Sequence, residues 1–172
     1  MTRLAPAPGE SILEIGVGTG LSALQYPRDC RVVGIDLSVH MIHKARARFA
    51  RKAVEHVSLC RMDGARLGFR DGQFDAIYAP YVMNVVPDPI AVAREMVRVC
   101  RPAGRIVLLN HFDDGNGTSR PVHGFLGRLV SRIGVNWHVD LQSFLERAGL
   151  IAESVELVNV PRVSSVVVCY KR

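Results

Sequence analysis

The chain is poor in the features that would place it outside a reducing compartment or inside a bilayer. Its four cysteines, Cys30, Cys60, Cys100 and Cys169, are far apart and form no C-x-x-C pair. That excludes the common cysteine-built metal centres and predicts free thiols in a reducing compartment. No apolar run approaches the ~18–20 residues that a spanning helix needs. The opening MTRLAPAPGE has no apolar stretch of the kind found in a cleaved leader. A single tryptophan among few aromatics, 6% of the chain, argues against a dense aromatic-basic surface for nucleic acid. Acidic residues are also outnumbered, 16 against 22 lysines and arginines, for a net charge of +6. A basic balance suits nucleic acid, anionic membrane or acidic substrates without choosing among them.

What is present is an ordinary globular composition, 48% hydrophobic and 22% charged over 172 residues. The length predicts one domain, spanning 1–172, with a core of its own. Ser11–Ile15 is a short apolar run ending in a glycine loop, a buried strand feeding a turn. Leu21–Tyr26 predicts a short helix stopped by Pro27. RVVGID (31–36) predicts a second strand. Ser38 is a helix cap before VHMIHKARARFARK (39–52), whose Met41, Ile42, Ala45 and Phe49 share one face. HVSLCRMD (56–63), FDAIYA (74–79) and RIVLLN (105–110) predict three further strands, and a helix from Pro89 is terminated by Arg101-Pro102-Ala103-Gly104. After residue 110 comes a polar, Gly-rich loop, the helical pattern VHGFLGRLVSRI, and a helix from Asp140 to Gly149. Two strand-like segments, IAESVELVNV and SSVVVCYK, then predict an antiparallel hairpin at the sheet's end. The fold class that follows is α/β, a Rossmann-like and mostly parallel sheet with an antiparallel strand at the C-terminal end.

In such a sheet, ligands sit beyond the carboxyl ends of the strands, where strand order reverses. Strand one ends on Glu14 and then Gly16, Gly18 and Gly20. The position where a dinucleotide-binding loop wants its third glycine is Leu21. Strand two ends on Asp36, twenty positions after Gly16, where a carboxylate can accept from a ribose diol. Strand three ends on Asp63, an acceptor suited to an exocyclic amine. Glu14 is awkward beside a pyrophosphate and suits a ligand with a cationic amino-acid head. Three acids at three successive strand ends point to a nucleoside ligand of that kind.

The segments ILEIGVGTG, VVGIDLS, MDGARLGFRDGQFDAIYA and EMVRVCRPAGRIVLLN cover residues 11–110 in order. Together they resemble the class I S-adenosylmethionine-dependent methyltransferases. The resemblance implies S-adenosylmethionine as cofactor, with S-adenosylhomocysteine as product. It implies that Gly16, Gly18 and Gly20 admit the methionine moiety, Glu14 orients that loop and Asp36 holds the ribose. Leu37 and Met41 would flank the adenine, Asp63, Gly64 and Ala65 would meet its edge, and Ala79 and Pro80 would pass beneath the sulfonium. Residues 11–110 would be the cofactor half and 111–172 the acceptor side with the C-terminal strands.

A narrower resemblance, carried by GVGTGLSALQYP, YVMNVVPDPIAVAREMVRVCRPAG and LLNHF, is to the bacterial phospholipid N-methyltransferases. It implies methylation of the amine of phosphatidylethanolamine and its methylated derivatives. Candidate catalytic residues stand where strands four and five end. His111 has the chemistry to take an amine proton near neutral pH. Tyr81 can face a methylated ammonium with its ring, and Asn110 offers a hydrogen-bond acceptor. Val122, Phe125, Leu126, Leu129, Val130 and Ile133 form one stripe with Arg120, Arg128 and Arg132 beside it. Such a helix (120–133) either lies on an anionic membrane surface or packs on the sheet. His40 and His43 share a helix face without a third ligand, and no metal is expected. Members of this family usually carry helices ahead of strand one, whereas about ten residues precede it here.

Phospholipid substrate, no nucleic acid, no obligate protein partner and a cytoplasmic location, peripheral on the inner membrane face, complete the expectation. Two alternatives stand beside it. One is a methyltransferase for a small soluble or quinone-like acceptor. The other is an inactive cofactor- or lipid-binding module.

Overall fold

The computed structural model describes residues 4–112, 139–158 and 164–171. Its strands are β1 (Ser11–Ile15), β2 (Arg31–Asp36), β3 (Val57–Arg61), β4 (Phe74–Pro80), β5 (Cys100–Asn110), β6 (Leu150–Val158) and β7 (Ser164–Lys171). Its helices are α1 (Val39–Lys52), α2 (Pro89–Val99) and α3 (Leu141–Ala148), with a 3-10 turn at Ser22–Gln25. The seven strands form one sheet in the order β3-β2-β1-β4-β5-β7-β6. The first five are mutually parallel, and β7 enters antiparallel between β5 and β6. The C-terminal hairpin therefore pairs out of chain order, its second strand meeting β5 and its first becoming the edge. Strand order reverses between β1 and β4, which puts a crevice at their carboxyl ends.

Strands buried on both faces need apolar side chains on both, and β1 supplies them alternately. Leu13 and Ile15 join Ile77, Ile106 and Leu108 against Val92, Ala93 and Met96 of α2. Ile12 faces the opposite way, with Val32, Ala76 and Val107, beneath Ile42 and Phe49 of α1. The helices begin where short polar side chains can take their free N–H groups. Ser38 accepts from the Met41 amide at 3.3 Å, Asp88 from Ile90 and Ala91, and Asp140 from Ser143. Helix α3 closes on Gly149 at φ +70°, as its left-handed C-terminal position requires.

Two boundaries depart from the sequence expectation. Strand β3 stops at Arg61, so Asp63 stands two residues beyond the strand instead of ending it. Residues 101–104, expected to end the helix ahead of a strand at 105–110, lie inside β5, which starts at Cys100. The ladder steps from Phe74↔Cys100 to Ala76↔Arg105, leaving Arg101-Pro102-Ala103-Gly104 as an excursion within the strand. Proline cannot donate to the ladder, and Ala103 adopts φ +57°, both compatible with a bulge.

Glycine loop geometry makes a testable distinction. Gly20 has φ +75°, and a Cβ there would stand 2.6 Å from the Phe49 ring. Gly18 has φ +54°, but its Cβ would meet only the Gly16 carbonyl, at 3.9 Å. Gly20→Ala is expected to lose about 2–4 kcal/mol from strain and overpacking together. Gly18→Ala is expected to lose only ~1–2 kcal/mol, from the backbone alone. Chemical denaturation of the two variants checks the order.

Candidate functional site

Three backbone turns converge at the crevice. The loop after β1 is pinned to the sheet by Gly16 and Val17, whose amides both donate to the Ile35 carbonyl (2.8 and 2.9 Å). It is tied to the end of β2 by the Gly18 amide, which donates to Asp36 Oδ2 at 3.0 Å. Asp36 Oδ1 accepts from the Ser38 amide at 2.8 Å. Each carboxylate oxygen can still accept a second hydrogen bond beside these contacts. Leu37 stands beyond it, largely exposed, and Met41 is half-buried one turn into α1.

The third turn follows β3. Asp63 Oδ1 accepts from the Ala65 amide at 2.9 Å, folding 63–65 into a tight turn, and Arg66 N–H closes it on the Asp63 carbonyl. Gly64 packs there against Ile15 and Val92, its missing Cβ 3.2 Å from Ile15 Cγ2. This contact brings the turn back over the end of β1. Glu14, Gly16, Gly18, Gly20, Asp36, Leu37, Met41, Asp63, Gly64 and Ala65 thus belong to neighbouring elements at one end of the sheet. Ala79 is buried and Pro80 half-buried at the end of β4, adjacent to β1.

Glu14 is wholly buried beneath the loop. Ser22 Oγ donates to its Oε1, while Oε2 has no hydrogen-bond partner. The Tyr26 hydroxyl is close enough to influence the carboxylate yet outside hydrogen-bond geometry, and is likewise buried without a partner. Burial pushes the Glu14 carboxyl up to about 7, against the smaller opposing pull of Ser22 and Tyr26. Tyr78, paired with Glu14 across the ladder, is pushed up to about 12 by burial and then by that carboxylate. The tyrosine and serine were invisible to sequence reading, because separations of eight and twelve residues follow no local period.

At the ends of β4 and β5, Tyr81 follows β4 in the left-handed conformation, φ +57°, with its amide donating to the Leu109 carbonyl at 2.6 Å. A bulky residue rarely adopts that geometry, which costs ~1–2 kcal/mol and recurs at functional sites. Its ring stands 5.6 Å from the His111 ring, at 41°. His111 is held from two sides. Asn84, buried within the apolar run YVMNVV, donates from Nδ2 to the His111 carbonyl (3.0 Å) and accepts from its amide (3.2 Å). Ser164, buried at the start of β7, places Oγ 3.2 Å from His111 Nδ1. A lone polar residue in YVMNVV was the available signal for Asn84, whereas Ser164 carried none. Asn110 is buried, its Nδ2 donating to the Ala79 carbonyl at 3.5 Å and its Oδ1 unpartnered. It ties β5 to β4 and stays below the surface that Tyr81 and His111 reach.

The stripe of 120–133 lies outside the described residues. Among the described residues, no three His, Cys, Asp or Glu side chains gather as a metal site. No described helix is long and apolar enough to cross a membrane.

With this geometry established, the likenesses to known proteins carry weight. The family model "Methyltransferase domain" matches residues 13–108. A phosphatidylethanolamine N-methyltransferase from Cereibacter sphaeroides is 41% identical over 135 residues, covering 78% of this chain and 66% of that protein. A demethylmenaquinone methyltransferase from Lactococcus lactis is 32% identical over 114 residues, covering 63% of this chain and 45% of that one. The chain therefore spans two thirds or less of these relatives. Among solved structures, phosphoethanolamine N-methyltransferase 2 of Haemonchus contortus, in complex with S-adenosyl-L-methionine, superposes with a TM-score of 0.81. It is 17% identical, and the match covers 99% of this chain and 50% of that one. Sheet order, glycine loop and family match agree, and the chain belongs to the methyltransferase-domain family, the class I S-adenosylmethionine-dependent methyltransferases.

Proposed function

We propose that this chain transfers methyl groups from S-adenosylmethionine to the amine of phosphatidylethanolamine and its methylated derivatives, at an anionic membrane surface. The observation that carries the reading is the Tyr81–His111 pair at the ends of β4 and β5, next to the crevice. The phospholipid-methylating relative supports the acceptor.

The residues present fit the cofactor. The space beside Gly18 is open where Gly16 and Gly20 are packed against protein, so the loop can be approached closely at that point. Asp36 would hold the ribose hydroxyls. The 63–65 turn, with Leu37 and Met41, would meet the adenine. Glu14, buried with one oxygen unpartnered, would answer a cationic amino group through the loop it supports. Bound there, the cofactor supplies a methyl group on a sulfonium, which needs no metal to leave.

The acceptor amine must lose its proton before its lone pair can attack. His111 stands at the crevice with its ring oriented by Ser164 and its backbone clamped by Asn84, and would take that proton. Each transfer then forms one C–N bond, breaks one C–S bond and leaves a more methylated ammonium. The Tyr81 ring would face that cation, a contact worth ~0.5–2 kcal/mol. Asn110, through its bond to Ala79, would keep the end of β4 in place beneath the reacting groups. Positioning and exclusion of water account for the remaining acceleration.

Incubation with labelled S-adenosylmethionine and anionic vesicles containing phosphatidylethanolamine is expected to label the lipid. Label appearing only in soluble acceptors would overturn the phospholipid reading. A second reading, a quinone-like acceptor, is supported by the menaquinone-methylating relative, and the same assay with a demethylated quinone tests it.

A further inference from the structure

Nine large apolar side chains are exposed among the described residues, and six of them follow the carboxyl ends of β1, β2 and β4, where the crevice lies. Leu21 (62% exposed) and Leu24 follow the glycine loop, Leu37 (62%) and Val39 follow β2, and Tyr81 and Val85 (54%) follow β4. Leu37 and Tyr81 have places in the reaction described above. Leu21, Leu24, Val39 and Val85 have none.

Cations reach the same end of the sheet, although Arg51 and Lys52 close α1 at its far end. From Leu37 to Arg66 the sequence holds seven lysines and arginines against two acids, so most of the chain's net +6 lies in this one segment. Two of these cations are fixed at the rim itself. Arg48 reaches from α1 to the Thr19 carbonyl and to its hydroxyl oxygen (2.9 Å), within the glycine loop. Arg61 Nε donates to the Leu37 carbonyl at 3.2 Å. Lys44 is exposed on α1. Asp63 is the one exposed acid within that segment near the mouth, and it is folded into its own turn. Single exposed leucines need no explanation, but six exposed apolar side chains at one end of the sheet, with Lys44, Arg48 and Arg61 on the adjoining elements, mark a binding surface.

We propose that this rim is the face with which the chain docks on an anionic phospholipid bilayer. The apolar side chains of Leu21, Leu24, Val39 and Val85 enter the headgroup–acyl boundary, while Lys44, Arg48 and Arg61 meet the lipid phosphates. This inference rests on the phospholipid reading and extends it. The crevice opens at the rim, so docking brings the mouth against the lipid and lets a headgroup reach His111 without leaving the bilayer. Attraction at an anionic surface gains about fivefold per nearby basic residue and weakens with salt.

The test is flotation of the whole chain with vesicles of phosphatidylcholine mixed with phosphatidylglycerol, and with phosphatidylcholine alone. Binding to the mixed vesicles is expected, falling with added salt. The double variant Leu21→Gln/Val85→Gln is expected to bind them about tenfold or more weakly. Val155→Gln/Leu157→Gln, on the exposed side of β6, is expected to bind as the parent does. Unchanged binding of the rim variant overturns the proposal, as does absence of binding by the parent. So does a rim variant that alters only the oligomeric state, which would make a second copy the occupant. Methylation of short-chain phosphatidylethanolamine, dispersed as monomers, separates this from the acceptor assignment. The rim variant should retain that activity. If neither protein methylates the monomeric lipid while flotation still depends on the rim, docking stands and the acceptor assignment falls.

Discussion

Glu14→Gln is expected to stabilise the ligand-free chain at pH 8 and to leave it nearly unchanged at pH 4. The carboxyl ordinarily titrates at 4.5, and burial holds it at about 7 in the fold. Between those values the folded chain binds more protons than the unfolded chain. Stability therefore falls as pH rises through this window and is lowest above it, where the buried carboxylate is charged. The gap corresponds to about 3 kcal/mol for a group this buried. Gln keeps the shape and can still accept from Ser22, so it removes the penalty and the slope. For a chain of this length, the gain corresponds to a Tm rise of roughly 5–10 °C at pH 8. The same change is expected to weaken S-adenosylhomocysteine binding by tenfold or more, because no negative charge remains beneath the loop for a cationic amino group. Melting curves at the two pH values and calorimetry measure both. Identical pH slopes in parent and variant would show that Glu14 is not the group responsible.

His111→Ala is expected to lower kcat for phosphatidylethanolamine methylation by about 10²–10⁴-fold. Affinity for S-adenosylhomocysteine should stay within about twofold, since the role proposed for His111 is toward the acceptor. Ser164→Ala keeps the imidazole but removes the group beside Nδ1. It is expected to fall between the two, with a changed pH–rate profile that a purely structural serine would not produce. Asn84→Ala would leave the His111 amide and carbonyl without that partner at a half-buried position, at a cost of about 1 kcal/mol in stability. Full activity of His111→Ala would reduce His111 to a wall of the pocket and move the proton acceptor elsewhere.

These two variants probe opposite sides of the crevice, and they differ in how far the sequence foretold them. Glu14 was visible as an acid before a glycine loop, but its abnormal titration was not. That depends on Ser22, Tyr26 and Tyr78, which reach it from a 3-10 turn and a neighbouring strand. His111 was visible as a histidine after an apolar run. Its orientation comes from Asn84, 27 positions away, and Ser164, 53 positions away, separations that no local period encodes.

The parts that could be read in one dimension are those decided by neighbouring residues. Alternation on β1, the Ser38 cap, the 3.6-residue stripe on α1 and the glycines with positive φ are local consequences of side-chain shape and backbone sterics. They suffice for a mostly parallel α/β sheet with a nucleoside-type crevice after β1. Pairing beyond the nearest strand was decided elsewhere. That β7 enters between β5 and β6, and that residues 101–104 bulge inside β5, depend on which edges find hydrogen-bond partners once the sheet assembles. The glycine loop shows the division within seven residues. Its turn follows from the sequence, because few residues but glycine accept those angles. Which glycine faces open space and which faces protein was settled only when Val82 and Phe49 packed against two of the three.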